Sequence, residues 1–186
     1  MSSARSRKFA VMGFRAVGKS SLTMQFIEGQ FSETYNPTIE NTYQKPLSLR
    51  GGRDFLVEIV DTPGQDEFSI FPTRYSVGIH GYVLVYSVTS RTSFEMLKII
   101  REKLLNMTGT NSVPLVLVGN KTDLVGERVV TFEDGRELAA QWGCGFVESS
   151  AKRNNSVKEI FESLLEEVDK DSLPPQKDKS GGCVIA

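Results

Sequence analysis

One glycine-bounded segment, Gly13-Phe14-Arg15-Ala16-Val17-Gly18-Lys19-Ser20, constrains the fold of this chain more than any other feature. It lies between an apolar run at 8–12, which favours a β-strand, and a run that favours a helix. Glycines let successive backbone N–H groups point toward one anion, and the start of the helix directs its N–H groups to the same place. This order is typical of a phosphate-binding loop, in which the lysine contacts the terminal phosphates and the serine hydroxyl coordinates Mg²⁺. We expect phosphate groups to contact Arg15, Ala16, Val17, Gly18, Lys19, Ser20 and Ser21.

The rest of the chain alternates apolar runs with amphipathic ones, which is the pattern of a sheet flanked by helices. The continuous apolar runs at 82–88 and 113–118 are typical of parallel strands buried on both faces. Further strands are predicted at 44–49, 54–60 and 146–149, and helices at 93–107, 133–142 and 157–168. After residue 169 the sequence becomes polar and rich in Pro and Gly. We therefore expect one domain over 7–170, a flexible N-terminus at 1–6 and a flexible tail at 171–186.

Composition removes several classes of function. The formal net charge of −1 gives no general attraction to nucleic acid, and no apolar run approaches the length of about 20 residues that a membrane span needs. Of the two cysteines, Cys144 lies in a predicted core segment and Cys183 is the fourth residue from the C-terminus. A disulfide would tie the tail to the core, so we expect reduced thiols and a cytosolic compartment. The single histidine, His80, lacks the neighbouring ligands of a metal site and is interpreted as structural.

A second motif, Asn120-Lys121-Thr122-Asp123, follows the apolar run at 113–118, where ligands bind α/β sheets. Guanine carries two adjacent N–H donors that one carboxylate can accept, whereas adenine would face Asp123 with an unpaired acceptor. We expect Asn120 to tie this segment to the phosphate-binding loop and the stem of Lys121 to cover the base. Alone, this motif is also an ordinary turn sequence. Its occurrence downstream of a phosphate-binding loop favours guanine recognition.

A third segment, Glu148-Ser149-Ser150-Ala151-Lys152, ends the last predicted strand. The backbone N–H of Ala151 could donate to the O6 atom of guanine. Phe31 could pack against the base from the other side, or it could be a core aromatic at a helix end.

Five motifs occur in the order found in the Ras superfamily of small GTPases, which the chain resembles over about residues 7–170. They are the phosphate-binding loop, Tyr35-Asn36-Pro37-Thr38-Ile39-Glu40, Asp61-Thr62-Pro63-Gly64-Gln65, Asn120-Lys121-Thr122-Asp123 and Ser150-Ala151-Lys152. Within the superfamily, Arg15 and the segments 65–72 and 81–90 resemble the Rheb branch. The resemblance implies a three-layer α/β G domain, with a six-stranded, mostly parallel sheet that has one antiparallel strand, and five helices. It also implies hydrolysis of GTP to GDP and phosphate.

The resemblance further implies how individual residues act. Thr38 would coordinate Mg²⁺ with Ser20, and Asp61 would bind it through water. Gly64 would donate its N–H to the γ-phosphate, so that GTP orders two loops at about 30–42 and 61–76 and hydrolysis releases them. The nucleotide would also contact Phe31, Ser32, Tyr35, Asn120, Lys121, Asp123, Ser150, Ala151 and Lys152. Effectors would bind Tyr35, Asn36, Pro37, Thr38, Ile39, Glu40, Asn41, Thr42 and Tyr43, with part of 68–75.

Three residues bear on the rate of hydrolysis. By resemblance, Gln65 positions the attacking water. Arg15 stands where Ras itself has glycine, and its bulk would crowd the γ-phosphate. Pro63 stands where the family pattern has alanine and stiffens the entry to the second loop. We therefore expect slow intrinsic hydrolysis, with Gln65, Gly64 and Lys19 as catalytic candidates and Arg15 as a modulator. A built-in arginine finger at Arg15 is the alternative.

The last four residues, Cys183-Val184-Ile185-Ala186, fit the prenylation signal, and the final alanine favours a farnesyl group. A single lipid without a second signal gives weak, reversible membrane binding. We expect exchange between the cytosol and the cytosolic face of endomembranes, with a prenyltransferase as a partner. By resemblance the other partners are an effector (the TOR kinase of growth signalling), a GTPase-activating protein and a possible exchange factor, and the protein is a monomer.

Two further hypotheses remain. The protein could be a permanently GTP-loaded adaptor with negligible hydrolysis, which single-turnover kinetics would separate from a switch. It could instead be a P-loop phosphotransferase, which competition between ATP and GTP would separate from a guanine-nucleotide-binding protein.

Overall fold

The computed structural model describes residues 5–170. In this range six strands alternate with four α-helices and two short 3-10 helices at Thr73–Tyr75 and Val125–Glu127. The strands are β1 Arg5–Gly13, β2 Asn41–Leu49, β3 Arg53–Asp61, β4 Gly81–Ser87, β5 Leu115–Asn120 and β6 Gly145–Glu148. The helices are α1 Lys19–Glu28, α2 Arg91–Thr108, α3 Phe132–Trp142 and α4 Val157–Lys170.

The strands form one sheet in the order β2-β3-β1-β4-β5-β6. β2 pairs antiparallel with β3, which follows it in the chain, and every other neighbouring pair is parallel. The predicted six-stranded sheet with one antiparallel strand is therefore confirmed.

Two apolar layers cover the faces of the sheet. Residues of α1 and α4 pack on one face and residues of α2 and α3 on the other. All residues of β4 and β5 are buried, because helices cover these strands on both sides. The three-layer α/β fold follows from this arrangement.

The predicted fold counted five helices, but residues 5–170 contain four α-helices. The four are the helices that the sequence pattern placed, and the segment between β3 and β4 adds a 3-10 turn at Thr73–Tyr75. Pro72 precedes this turn and disfavours helical geometry at Phe71.

The boundaries of several elements differ from the predicted ones by two or three residues. β1 begins at Arg5 rather than at residue 8, and β5 runs to Asn120 rather than to 118. Ser90 caps α2 by accepting a hydrogen bond from the Ser93 N–H. The division into a domain and flexible ends stays a prediction, and Cys183 lies outside the described residues. Within 5–170, none of the helices combines the length and apolar character that crossing a bilayer requires.

Candidate nucleotide-binding site

A cleft of about 370 Å³ opens at the edge of the sheet where parallel strands β1 and β5 end. This is the edge at which α/β sheets bind ligands. The cleft is lined by Arg15, Ala16, Gly18, Lys19, Ser20, Ser21, Phe31, Ser32, Glu33, Thr34, Tyr35, Asn36, Thr38, Thr62, Gly64, Asn120, Lys121, Asp123, Leu124, Ala151 and Lys152. It therefore brings together segments from all five motifs.

The phosphate-binding loop needs glycine at both of its ends. Gly13 has a φ of 154°, and a Cβ there would lie 2.2 Å from the Val85 carbonyl oxygen. Gly18 has a φ of 98°, and a Cβ there would lie 2.3 Å from Asn120 Nδ2. These contacts exclude any larger residue, because backbone and a buried amide cannot move aside cheaply.

The buried ammonium of Lys19 lies inside this loop. The residue is 6% exposed, and Nζ donates to the carbonyl oxygens of Gly13 at 3.0 Å and Phe14 at 2.9 Å. Burial lowers the pKa of Lys19 to about 8, against an opposing effect of the Asp61 charge. A phosphate group would supply the negative charge that this buried cation lacks.

Asn120 joins the second motif to the phosphate-binding loop. Its Nδ2 donates to the Val17 carbonyl at 3.0 Å, and its Oδ1 accepts from the Ala151 N–H at 3.2 Å and the Ser149 hydroxyl at 3.3 Å. The predicted tie between the two segments is therefore present. The Ala151 N–H, which was predicted to face guanine O6, is directed at Asn120 Oδ1 in this structure.

The side chains of Lys121 and Asp123, from the second motif, also line the cleft. Lys121 Nζ donates to the Ala16 carbonyl at 2.7 Å, which lays its aliphatic stem across the cleft wall. Asp123 Oδ1 accepts from the Ser150 hydroxyl at 2.6 Å. That hydrogen bond orients the half-buried carboxylate and leaves acceptor capacity for a ligand.

Three oxygen-bearing side chains converge beside the phosphate-binding loop. The Ser20 hydroxyl lies 2.6 Å from Thr38 Oγ1 and donates to Asp61 Oδ2 at 2.5 Å. Asp61 is 1% exposed, and its other oxygen, Oδ1, is buried without a hydrogen-bond partner. Burial raises the pKa of Asp61, partly offset by the Ser20 hydrogen bond and the Lys19 charge.

This donor set fits a hard cation such as Mg²⁺. Two hydroxyls and a carboxylate are the oxygen ligands that Mg²⁺ prefers, and it keeps several waters besides. Residues 5–170 contain no group of three or more His, Cys, Asp or Glu side chains placed to hold a metal. The ion would therefore depend on the hydroxyls of Ser20 and Thr38 and on phosphate oxygens.

Gln65, the predicted water-positioning residue, does not line the cleft. It is 5% exposed and lies under the phosphate-binding loop. Its Oε1 accepts from the Gly13 N–H at 2.9 Å, and its Nε2 donates to Thr62 Oγ1 at 3.0 Å and to the Pro63 carbonyl at 2.5 Å. The resemblance could not reveal this position, because it depends on how the loop after β3 folds.

Arg15 lines the cleft beside Gly64. A Cβ on Gly64 would lie 2.6 Å from Arg15 Cα, so the two backbones are in close contact. The Arg15 guanidinium lies 5.2 Å from the centre of the Phe14 ring, which is a cation–π distance.

Two loops border the cleft, and both expose apolar side chains. In the first loop, residues 30–40, Tyr35 is 62% and Ile39 89% exposed; in the second loop, residues 62–80, Phe68 is 84% and Ile70 91% exposed. Glu40 links the loops, because its Oε2 accepts from Arg74 Nε at 2.9 Å and the Tyr75 hydroxyl at 2.6 Å.

Most of the predicted nucleotide contacts line the cleft, but two do not. Val17 is buried beneath it, and the Ser150 hydroxyl donates a hydrogen bond to the cleft residue Asp123. Sequence reasoning missed Glu33, which lines the cleft and pairs with Lys152 at 2.6 Å. No local signal could identify that pair, since 119 residues separate its members.

Comparison with known proteins agrees with this geometry. The model of the Ras family matches residues 8–170, so the chain belongs to the Ras family of small GTPases, which hydrolyse GTP to GDP and phosphate.

The relatives include Rheb proteins. The chain is 52% identical to the GTP-binding protein rhb1 of Schizosaccharomyces pombe over 186 residues, covering 100% of both chains. It is 52% identical to the Rheb homolog of Drosophila melanogaster over 182 residues, covering 98% of each, and 49% identical to human Rheb over 185 residues, covering 100% of each. The predicted resemblance to Rheb is confirmed.

Proposed function

We propose that this protein is a guanine-nucleotide switch in which GTP and Mg²⁺ hold the two loops in an effector-binding arrangement and in which intrinsic hydrolysis is slow. The observation that carries the proposal is the cleft itself. A buried lysine and glycine-shaped backbone lie at its phosphate end, and a half-buried carboxylate lies at its base end. The matching relatives from Schizosaccharomyces pombe and human are named as GTP-binding proteins.

Different residues would bind the phosphates and the base. Backbone N–H groups of residues 15–21 and the Lys19 ammonium would hold the phosphates. Asp123 would accept from guanine, and the stem of Lys121 would cover the base. Asn120 would hold the phosphate-binding loop and the segment at Ala151 together through its hydrogen bonds. Phe31, which is 37% exposed, lines the cleft and would pack beside the base.

Mg²⁺, when bound, would neutralise charge on the phosphate oxygens and orient the terminal phosphate. Ser20 and Thr38 would hold it directly and Asp61 through water. Thr38 and Gly64 belong to different loops, so contacts to Mg²⁺ and the terminal phosphate would order both loops together. The exposed residues Tyr35, Ile39, Phe68 and Ile70 would then form the effector surface.

Slow hydrolysis is supported by two features. Gln65 uses its amide groups in buried hydrogen bonds and does not line the cleft. Arg15 occupies the wall beside Gly64, where the attacking water would approach.

Replacing Arg15 by glycine should raise the single-turnover rate of GTP hydrolysis about two- to tenfold, since it opens space at the phosphate end. Arg50→Gly, in the exposed turn after β2, is the control and should leave the rate unchanged. A slower Arg15→Gly variant would favour the built-in arginine finger and contradict the steric explanation.

By resemblance to Rheb, the effector is the TOR kinase of growth signalling, and a GTPase-activating protein and a possible exchange factor set the nucleotide state. The protein would act as a monomer on the cytosolic face of endomembranes.

The tail would anchor the protein through a farnesyl group on Cys183, added by a prenyltransferase. Cys183→Ser removes the attachment point of the lipid, and a single lipid already gives only marginal membrane affinity. The variant should therefore move from the membrane fraction to the soluble fraction on cell fractionation. Replacing Cys144, which lies inside the domain, is the control. Unchanged partition of the Cys183→Ser variant would refute the anchor.

A further inference from the structure

One lysine outside the cleft holds the second loop in place. Lys103 lies on α2, and its Nζ donates to the backbone carbonyls of Glu67 at 2.6 Å, Ser69 at 3.0 Å and Asp66 at 3.2 Å. An ammonium has three N–H donors, so these three carbonyls use all of them.

The carbonyls that Lys103 binds are ones that a helix would use internally. In an α-helix the carbonyl of residue i accepts from the N–H of residue i+4. The Asp66 carbonyl also accepts from the Ser69 N–H at 3.2 Å, while Lys103 supplies the Glu67 and Ser69 carbonyls with hydrogen bonds that a helix would supply from its own N–H groups. The lysine thus favours the irregular conformation of residues 66–69.

The same short segment is closed into a turn by its own side chains. Asp66 Oδ1 accepts from the Phe68 N–H at 3.0 Å and from the Ser69 hydroxyl at 2.8 Å. The Asp66 N–H donates to the Ser69 hydroxyl oxygen at 2.9 Å. Lys103 therefore binds a preformed turn and ties it to α2.

This turn begins directly after Gln65. The Gln65 N–H donates to the Gly13 carbonyl at 3.0 Å, and its side chain is buried under the phosphate-binding loop. Gln65 is thus held between the phosphate-binding loop on one side and the Lys103-bound turn on the other. Moving this side chain into the cleft would break its hydrogen bonds to the Gly13 N–H, the Thr62 hydroxyl and the Pro63 carbonyl, and the Lys103-bound turn restricts the backbone that follows it.

We propose that Lys103 is a positioning residue that restrains GTP hydrolysis by fixing the 66–69 turn to α2 and so keeping Gln65 out of the cleft. The inference rests on the proposed function for its kinetic consequence, but the anchoring itself is independent of any nucleotide. Nothing in this arrangement requires Lys103 to touch the reacting atoms.

The test compares Lys103→Met, which keeps the aliphatic stem and removes the donors, with Lys103→Arg, which keeps them. Lys98→Met, an exposed lysine on the same helix, is the control. Amide hydrogen exchange should be about tenfold faster at Asp66, Phe68 and Ser69 in Lys103→Met, and close to the parent in the other two variants. Unchanged exchange in Lys103→Met would overturn the anchoring.

The kinetic arm measures single-turnover hydrolysis in full-length protein loaded with GTP and Mg²⁺. Lys103→Met should hydrolyse GTP about three- to tenfold faster than the parent. The gain should disappear in a Gln65→Leu background, because it acts through Gln65. The proposal would be overturned if Lys103→Met raised the hydrolysis rate equally in the Gln65→Leu background, or if Lys103→Met alone did not raise it. Failure of the parent to bind GTP would instead refute the proposed function and leave the exchange result to decide the anchoring.

Discussion

Replacing Asp123 by asparagine is expected to weaken GTP and GDP binding by about 10²- to 10⁴-fold, because two charge-assisted hydrogen bonds worth about 1.5–3 kcal/mol each are altered. The asparagine amide would place its own N–H groups against the guanine donors. The same amide could donate to a purine that carries a carbonyl in place of the exocyclic amine. The variant should therefore bind xanthine nucleotides better than the parent does.

Competition against a fluorescent guanine nucleotide measures this change. Glu127→Gln removes an exposed carboxylate four residues later and is the matched control, since Glu127 does not line the cleft. An Asp123→Asn variant with the nucleotide preference of the parent would mean that another group reads the base.

Replacing Lys19 by methionine should weaken nucleotide binding by about 10²- to 10⁴-fold, because the phosphates lose two charge-assisted hydrogen bonds of about 1.5–3 kcal/mol each. The substitution should spare the fold. Methionine has a similar length, and burial of the Lys19 charge is itself unfavourable, as its lowered pKa of about 8 indicates.

The melting temperature of Lys19→Met, measured without nucleotide, separates binding from stability. It should lie close to that of the nucleotide-free parent. Lys121→Met is a useful comparison, because Lys121 lines the base end and its loss should cost less affinity. Retention of full affinity by Lys19→Met would exclude the loop lysine as a phosphate ligand.

The sheet could be predicted from the sequence because its signals are local. Apolar runs marked β4 and β5, and the phosphate-binding motif marked the junction of β1 and α1. Element ends were less well predicted. Asn120 is the last residue of β5 rather than part of the loop after it, because its backbone pairs with Ser87 of β4. Its polar side chain gave no sign of that pairing.

The positions of loop residues could not be predicted in the same way. The burial of Gln65 depends on Gly13, 52 residues away, and the turn after it depends on Lys103 on a different element. Motifs therefore gave the identity of candidate residues, while tertiary contacts decide which of them reach the cleft. Arg15 illustrates this division, since its place in the motif was evident but its cation–π contact with Phe14 was not.

The proposed switch depends most on a cleft that holds a polyphosphate at one end and selects guanine at the other. Competition of unlabelled GTP and ATP against fluorescent GDP, with the intact protein and Mg²⁺, tests this directly. GTP should compete at a concentration at least about 10²-fold lower than ATP, because adenine leaves the Asp123 carboxylate facing an acceptor. Equal competition by the two nucleotides would contradict the account.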